Sequence, residues 1–204
     1  YVFAKGHEAY AERYKKMIGE ISYPSQEMEK QLSKHFPNLT TEGRLKDGSV
    51  FLVIEKKENI YPLRMLGVLL DRHVAWVISR LENLCCLLTY NDMVLNGLTE
   101  DNLFVDPVSH QLYLYGGWWF AGFRGSETVG ASKAVLPFLQ KKGDKARNDF
   151  ATDLQALHMT GIRLLGYSDK KALIEDRMIP APFLQFLLRE PQKDAMADFA
   201  EWDK

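Results

Sequence analysis

The chain has 204 residues, of which 46% are hydrophobic and 26% are charged. This is the composition of a globular protein with a sizeable core, and it argues against a disordered chain. Lysine and arginine number 26 and aspartate and glutamate 27, so the net charge is −1 and no positive excess is left to bind a nucleic-acid backbone in bulk. The apolar runs are too short to predict a membrane span.

The N-terminal quarter predicts two helices followed by a β-hairpin. Residues 7–20 and 25–36 are rich in helix-forming residues. The pair Asp47 and Gly48 separates two extended runs and predicts a tight hairpin turn, because glycine readily adopts a positive φ. The chain begins with Tyr1 and enters structured-looking sequence at once, so we expect a processed product or a fragment.

The strongest helix prediction covers residues 72–90. Apolar residues recur there at spacings of three and four, and others lie off this stripe, so we expect burial on more than one side. Cys85 and Cys86 are neighbours on this helix, and such pairs rarely form a disulfide. We therefore expect reduced thiols and a cytoplasmic protein, with Cys85 on the buried stripe and Cys86 turned about 100° away.

The remainder of the chain predicts two short strands and several helices. Residues 103–105 and 112–115 are extended and apolar, whereas residues 116–148 are rich in glycine and predict a loop. Residues 149–165 have the apolar periodicity of a buried helix. Shorter helices are predicted over residues 168–177, 183–188 and 194–202. A small mixed part followed by a mostly helical part predicts an α+β fold in two lobes.

Residues 94–105, VLNGLTEDNLFV, resemble the catalytic loop of protein kinases, which reads H-R/G-D-L-x-x-x-N before a short apolar strand. A long helix precedes this segment, a glycine-rich stretch follows where D-F-G would stand, and residues 151–166 resemble the buried helix of the kinase C-lobe. The resemblance implies a protein-kinase-like fold. Residues 1–55 would form a reduced N-lobe with the hairpin, residues 56–70 the hinge and linker, and residues 71–204 the helical C-lobe.

The departures from the kinase pattern remove the residues that carry the chemistry. When Asn102 is aligned with the kinase asparagine, Gly97 stands where an aspartate would accept the proton of the attacking hydroxyl. The D-F-G positions align with Gly116, Gly117 and Trp118, which offer no carboxylate to Mg²⁺. The resemblance therefore implies a catalytically inactive member, a pseudokinase, that uses no metal and no cofactor.

The ion pair that joins the kinase A-P-E motif to the last helices is predicted to be missing on both sides. Leu136–Phe138 stands at the A-P-E position, and residues 191–194 (PQKD) stand where its arginine partner is expected. The loss of both halves is self-consistent, because the loss of one alone would bury an unpaired charge. The resemblance also implies that Asp153, in the C-lobe helix, binds backbone near the catalytic loop.

Two residues are weak candidates for nucleotide binding. Residues 2–5 (VFAK) echo the kinase V-A-I-K strand, which would make Lys5 the phosphate-pairing lysine and Glu27 or Glu29 its helix partner. Asn102 is a candidate metal ligand, although we favour a turn asparagine that binds local backbone. No G-x-G-x-x-G motif occurs in the sequence.

Bulky aromatic residues stand among the glycines of residues 116–130, the segment that follows the predicted strand over residues 112–115. We predict that this segment binds another protein, with these candidate partner-binding residues: Trp118, Trp119, Phe120 and Phe123. The competing interpretation is that the rings fold inward and fill the vacant nucleotide cleft. The predicted function is thus a protein-binding or regulatory scaffold.

Two other functions stay open at this point. One is an atypical phosphotransferase or nucleotide-binding protein that uses displaced carboxylates such as Asp101 or Asp106. The other is an unrelated α+β interaction domain whose likeness to kinases is accidental. The five histidines share no spacing typical of a metal site, and the basic residues between Lys141 and Arg147 predict a solvated face rather than a phosphate site.

Overall fold

A computed structural model describes residues 1–175 and 178–203, without the side chain of Lys142. The described residues form the helices α1 (Glu8–Gly19), α2 (Gln26–Leu32), α3 (Asp71–Tyr90), α4 (Phe150–Leu164), α5 (Lys170–Ile174), α6 (Ala181–Leu188) and α7 (Ala195–Trp202). They also form the strands β1 (Val2–Phe3), β2 (Leu39–Arg44), β3 (Val50–Ile54), β4 (Tyr61–Pro62), β5 (Met93–Val94), β6 (Leu103–Asp106), β7 (Gln111–Leu114), β8 (Gly122–Phe123), β9 (Gln140–Lys142) and β10 (Lys145–Arg147). Within these described ranges, no helix is long and apolar enough to cross a membrane.

The N-terminal sheet contains the hairpin that the sequence predicts. Its strand order is β1-β3-β2, and both pairings are antiparallel. At the turn between β2 and β3, Gly48 has a φ of +89°. Asp47 Oδ1 accepts a hydrogen bond from the N–H of Ser49 at 2.9 Å, which closes the turn. Helix α1 packs on β3 and on the 3₁₀ turn Trp118–Phe120.

Helices α3 and α4 lie at the centre of the C-terminal part, as their apolar stripes predict. They pack against each other, and α3 also packs along α7. One core cluster connects Phe3 in β1 with Leu157 in α4 and Ala195 in α7. Leu70 occupies the cap position of α3, and the Asp71 carboxylate accepts a hydrogen bond from the N–H of Arg72.

The prediction of a loop over residues 116–148 is wrong at its C-terminal end. The basic stretch forms the antiparallel hairpin β9–β10, whose turn contains Gly143 with a φ of +65°. Strands made of charged residues carry no apolar alternation, so the sequence pattern could not indicate them. The helix predicted over residues 168–177 is described only as α5, capped by Asp169, and residues 176 and 177 lie outside the described residues.

Candidate functional site

The loop that resembles a kinase catalytic loop connects β5 to β6, and a buried carboxylate fixes its start. Asp153, in the first turn of α4, accepts hydrogen bonds from the N–H groups of Leu95 at 2.6 Å and Asn96 at 2.8 Å. Burial raises the pKa of Asp153 to about 7, and these two hydrogen bonds oppose the rise. Asp153 therefore anchors backbone, which is the role that the resemblance implies.

Gly97, which the resemblance aligns with the kinase base, touches the backbone of Gly117 in the segment aligned with D-F-G. A Cβ atom added to Gly97 would lie 2.7 Å from the Cα of Gly117. A Cβ atom added to Gly116 would lie 2.6 Å from Oδ1 of Asn102 and 2.9 Å from its Cα. Non-bonded carbon atoms pack at about 3.5–4.0 Å, so neither position can carry a side chain unless its neighbours move. The positions aligned with the base and the metal-binding aspartate thus lack a carboxylate and also the room for one.

Asn102 is buried beside this contact, with 8% of its surface exposed. Its Nδ2 donates to the carbonyl oxygen of Gly97 at 2.9 Å and to Oγ of Ser132 at 3.0 Å. The backbone carbonyl oxygen of Asn102 accepts a hydrogen bond from the N–H of Gly116 at 2.9 Å. Asn102 therefore joins three segments of local structure through its side chain and its backbone, which agrees with the turn-asparagine interpretation.

Lys5 lies outside the strand that the resemblance to V-A-I-K implied for it. Strand β1 ends at Phe3, so Lys5 lies in the exposed turn before α1 and forms no ion pair with any described residue. Glu27 and Glu29, its candidate partners, are exposed on α2, and neither pairs with a described cation. The helix that packs on the Trp118–Phe120 turn is α1 rather than α2.

The two tryptophans point into the protein. Trp118 is fully buried, and its Nε1 donates to the carbonyl oxygen of Leu114 at 2.6 Å. Trp119 is half-buried; its ring lies 5.1 Å from that of Tyr1 and stacks on Tyr14 at 6.1 Å. Trp118 has no surface to offer a partner, and the ring of Trp119 lies against β1 and α1. The inward-folding interpretation is therefore favoured for this pair.

Phe120 and Phe123 differ from the tryptophans in exposure. Phe120 is half-buried and packs edge-to-face on Tyr10 of α1 at 5.8 Å. Phe123, in β8, is 37% exposed and borders a groove of about 860 Å³ between α1 and residues 122–129. Of the four predicted partner-binding aromatics, Phe123 is the most accessible.

The displaced carboxylates have structural partners of their own. Asp106 closes the β6–β7 turn by accepting from the N–H of Val108 at 2.9 Å and from Oγ of Ser109 at 2.6 Å. Hydrogen bonding to Ser109 lowers the pKa of Asp106. Asp101 is exposed and lies 3.4 Å from Arg64.

Both halves of the A-P-E ion pair are replaced by residues with other contacts. Phe138 stands in the position of the glutamate, and its carbonyl oxygen accepts from Oγ1 of Thr152 at 3.2 Å. Asp194, in the region 191–194 where the arginine is expected, caps α7 by accepting from the N–H of Ala197 at 2.9 Å. No buried charge is left without a partner at either of these two described positions.

A buried polar cluster lies elsewhere in the C-terminal part, and it is not among the sites predicted from the sequence. It contains Glu82 of α3, His158 of α4 and Asp198 of α7. Nε2 of His158 lies 3.0 Å from Oδ2 of Asp198, while Oδ1 accepts from Arg189 at 2.6 Å and from the N–H of Gln192 at 2.8 Å. Burial alone would raise the pKa of Asp198, but the contacts with His158, Gln192 and Arg189 lower it to about 2.

One signal in the sequence indicated this cluster. Glu82 stands four residues after Ile78 and three before Cys85, both of which belong to the apolar stripe of α3. A carboxylate on a buried helix face requires a compensating partner. The sequence could not identify the partners, because they lie on two distant helices.

No family model matches the chain, and neither does any curated protein sequence. Solved kinase structures match it over nearly its whole length. A structure of vaccinia related kinase 3 has a TM-score of 0.66 at 19% identity and covers 99% of this chain and 78% of its own. The Cydia pomonella Granulovirus kinase PK-1 has a TM-score of 0.62 at 11% identity, covering 97% of this chain and 79% of its own. The ROP18 kinase domain, in complex with AMP-PNP and sucrose, has a TM-score of 0.65 at 14% identity, covering 98% and 69%.

These likenesses establish the fold. The chain has a protein-kinase-like fold with a small N-terminal β-containing part and a mostly helical C-terminal part, as the resemblance in residues 94–105 implied. Structural likeness at sequence identities of 11–19% shows the fold but does not show an activity. The function must therefore be argued from the residues at the site.

Proposed function

We propose that this protein is a kinase-like domain that transfers no phosphoryl group and acts as a protein-binding scaffold. The observation that carries the proposal is the close contact of Gly97 with Gly117, together with Asn102 packed against Gly116. Phosphoryl transfer by a kinase requires one carboxylate to orient the hydroxyl and another to hold Mg²⁺. Both aligned positions are glycines without room for a side chain, which supports the loss of both functions.

Phosphoryl transfer is tested directly with labelled ATP. The full chain is incubated with ATP labelled at the γ-phosphate, with Mg²⁺ or Mn²⁺ and general protein substrates, beside a heat-denatured control. We expect no incorporation above that control. Incorporation that disappears in Asp101→Ala or Asp106→Ala would instead establish the atypical phosphotransferase.

The surface that we propose for a protein partner is the groove between α1 and residues 122–129. Phe123 and Val129 expose 37% and 41% of their surfaces beside it, so it offers apolar area next to polar groups of α1. Nη1 of Arg13 donates to the carbonyl oxygen of Ala121 at 3.0 Å and holds this segment against the helix. A segment held in this way keeps its shape before a partner binds, which lowers the entropic cost of association.

The scaffold proposal is tested with matched exposed apolar residues. Phe123→Ser lies in the proposed surface, and Val108→Ser changes an exposed valine in the β6–β7 turn. We expect both variants to fold, Phe123→Ser with a somewhat lower melting temperature because most of its side chain is buried, and Phe123→Ser alone to lose at least about tenfold in partner recovered by quantitative affinity capture. Equal capture by both variants would remove this groove from the proposal.

The two unbonded cysteines support the cytoplasmic location that completes the proposal.

A further inference from the structure

A histidine and two carboxylates from three different helices meet in the core of the C-terminal part. Glu82 of α3, His158 of α4 and Asp198 of α7 are all buried, and one donor atom from each lies within 4.8 Å of the other two. This cluster is separate from the Gly97–Gly117 contact and does not depend on the proposed function. Buried charges in protein cores are almost always paired or bound to a metal ion.

The three side chains of this cluster differ in how many hydrogen-bond partners they have. Asp198 is well compensated, because Arg189 and the N–H of Gln192 both donate to its Oδ1. Neither carboxylate oxygen of Glu82 accepts a hydrogen bond from any described residue, and Nδ1 of His158 also has no described partner. A fully buried carboxylate without a donor requires either a proton or a cation.

We propose that Glu82, His158 and Asp198 form a binding site for a divalent transition-metal ion, and that Zn²⁺ fits this donor set best. Two ligands at tetrahedral positions around zinc, each about 2.0–2.2 Å from the ion, lie about 3.3 Å apart. Nε2 of His158 and Oδ2 of Asp198 are 3.0 Å apart, so they can share an ion with little movement. An imidazole with two carboxylates suits zinc, whereas Mg²⁺ and Ca²⁺ favour oxygen ligands alone.

One of the three proposed ligands lines a surface cavity. His158 also borders a surface cavity of about 510 Å³, together with Gln155, Met159, Lys170 and Glu190. Glu82 and Asp198 do not line this cavity, so His158 is the proposed ligand nearest to it. Because the three ligands belong to α3, α4 and α7, bound zinc would connect three helices of the core and stabilise the folded state.

The competing account places a proton where the metal would bind. Burial and the neighbouring charge of Asp198 raise the pKa of Glu82 to about 9, so the metal-free protein can keep this carboxyl protonated as a donor to Asp198. A glutamine at position 82 would reproduce that donor but would be a poor zinc ligand. Glu82→Gln therefore separates the two accounts.

The experiment uses the full chain, treated with a chelator and then titrated with Zn²⁺ in competition with a chromophoric chelator. Thermal unfolding is followed at each zinc concentration, and Co²⁺ is substituted to record its ligand-field absorption. Glu82→Gln and His158→Gln remove proposed ligands. Glu190→Gln, at the mouth of the cavity, is the matched control for adventitious surface binding.

We expect the wild type to bind one equivalent of zinc and to unfold at a higher temperature with zinc than without it. Glu82→Gln and His158→Gln should each weaken binding at least about 100-fold and abolish the thermal shift, whereas Glu190→Gln should behave like the wild type. Should one ligand variant fail to fold, the other decides the question. No stoichiometric binding by the wild type, or full binding by Glu82→Gln, would overturn the metal site and leave the shared proton.

Discussion

Two regions meet at the loop that connects β5 to β6, and they differ in what they retain. On the α4 side, Asp153 holds the loop through hydrogen bonds to Leu95 and Asn96. On the other side, Gly97 lies against Gly117 so closely that no side chain fits. This contrast shows that the backbone framework of a kinase-like loop can be kept while the side chains for phosphoryl transfer are absent. The framework depends on burial and backbone hydrogen bonds, whereas the chemistry depends on free space and carboxylates.

The largest expected effect comes from restoring the missing carboxylates. Gly97→Asp or Gly116→Asp should lower the free energy of unfolding by about 4 kcal/mol, because each adds atoms at a closed contact and buries a charge. Gly19→Asp is the control, since no atom lies within 4 Å of its added Cβ, and it should cost less than about 1 kcal/mol. Urea unfolding measures all three. Wild-type stability in Gly116→Asp would show that the site is open.

Breaking the framework should cost somewhat less. Asp153→Asn replaces one hydrogen-bond acceptor by an amide donor that faces a backbone N–H, so we expect a loss of about 3 kcal/mol at pH 5. Asp149→Asn is the matched control in the same helix, because asparagine caps helices as well as aspartate does. Denaturant unfolding should show almost no change for that variant. Equal losses in the two variants would remove the special role of Asp153.

The same residue gives the framework a defined pH dependence. Since burial raises the pKa of Asp153 from 3.8 to about 7, the folded protein binds more protons than the unfolded chain between these values. The contribution of Asp153 to the free energy of unfolding is therefore complete below about pH 4. It falls as the pH rises to about 7, by at most about 1.4 kcal/mol per pH unit. The difference in stability between wild type and Asp153→Asn should shrink over this range. A constant difference would contradict the assignment.

The two regions also differ in how well the sequence predicts them. The apolar stripes of α3 and α4 and the Asp47-Gly48 turn are local patterns, and the structure confirms the elements that they predict. The sequence shows that neither aligned position carries a carboxylate. It does not show that a side chain has no room there, because Gly97 and Gly117 are brought together only by the fold. The partners of Glu82 were missed for the same reason, whereas the β9–β10 hairpin was missed because its charged strands carry no apolar alternation.

A smaller effect distinguishes filling of the core from partner binding in the aromatic segment. Trp119→Ala should lower the free energy of unfolding by about 2 kcal/mol, because the half-buried ring packs on Tyr1 and Tyr14. Capture of a partner through the Phe123 groove should stay unchanged. Preserved stability with weakened capture would mean that Trp119 contacts the partner.

The smallest effect concerns thiol reactivity and leaves stability unchanged. Cys85 is buried and Cys86 is half-buried on α3, so Cys86 should react with an alkylating reagent about tenfold faster, as followed by mass spectrometry. Both should react more slowly than a free cysteine, because burial raises the pKa of each thiol, that of Cys86 to about 12. Faster labelling of Cys85 would mean that the phase of α3 is wrong.

The central claim is that the closed contact between Gly97 and Gly117 and the packing of Asn102 on Gly116 leave this fold without a site for a metal-bound nucleotide. Isothermal titration of the full chain with ATP, in buffer with Mg²⁺ and in buffer with a chelator, tests it most directly. The account predicts that Mg²⁺ does not strengthen ATP binding, so that any heat is weak and the same in both buffers. Tight binding that appears only with Mg²⁺ would contradict it.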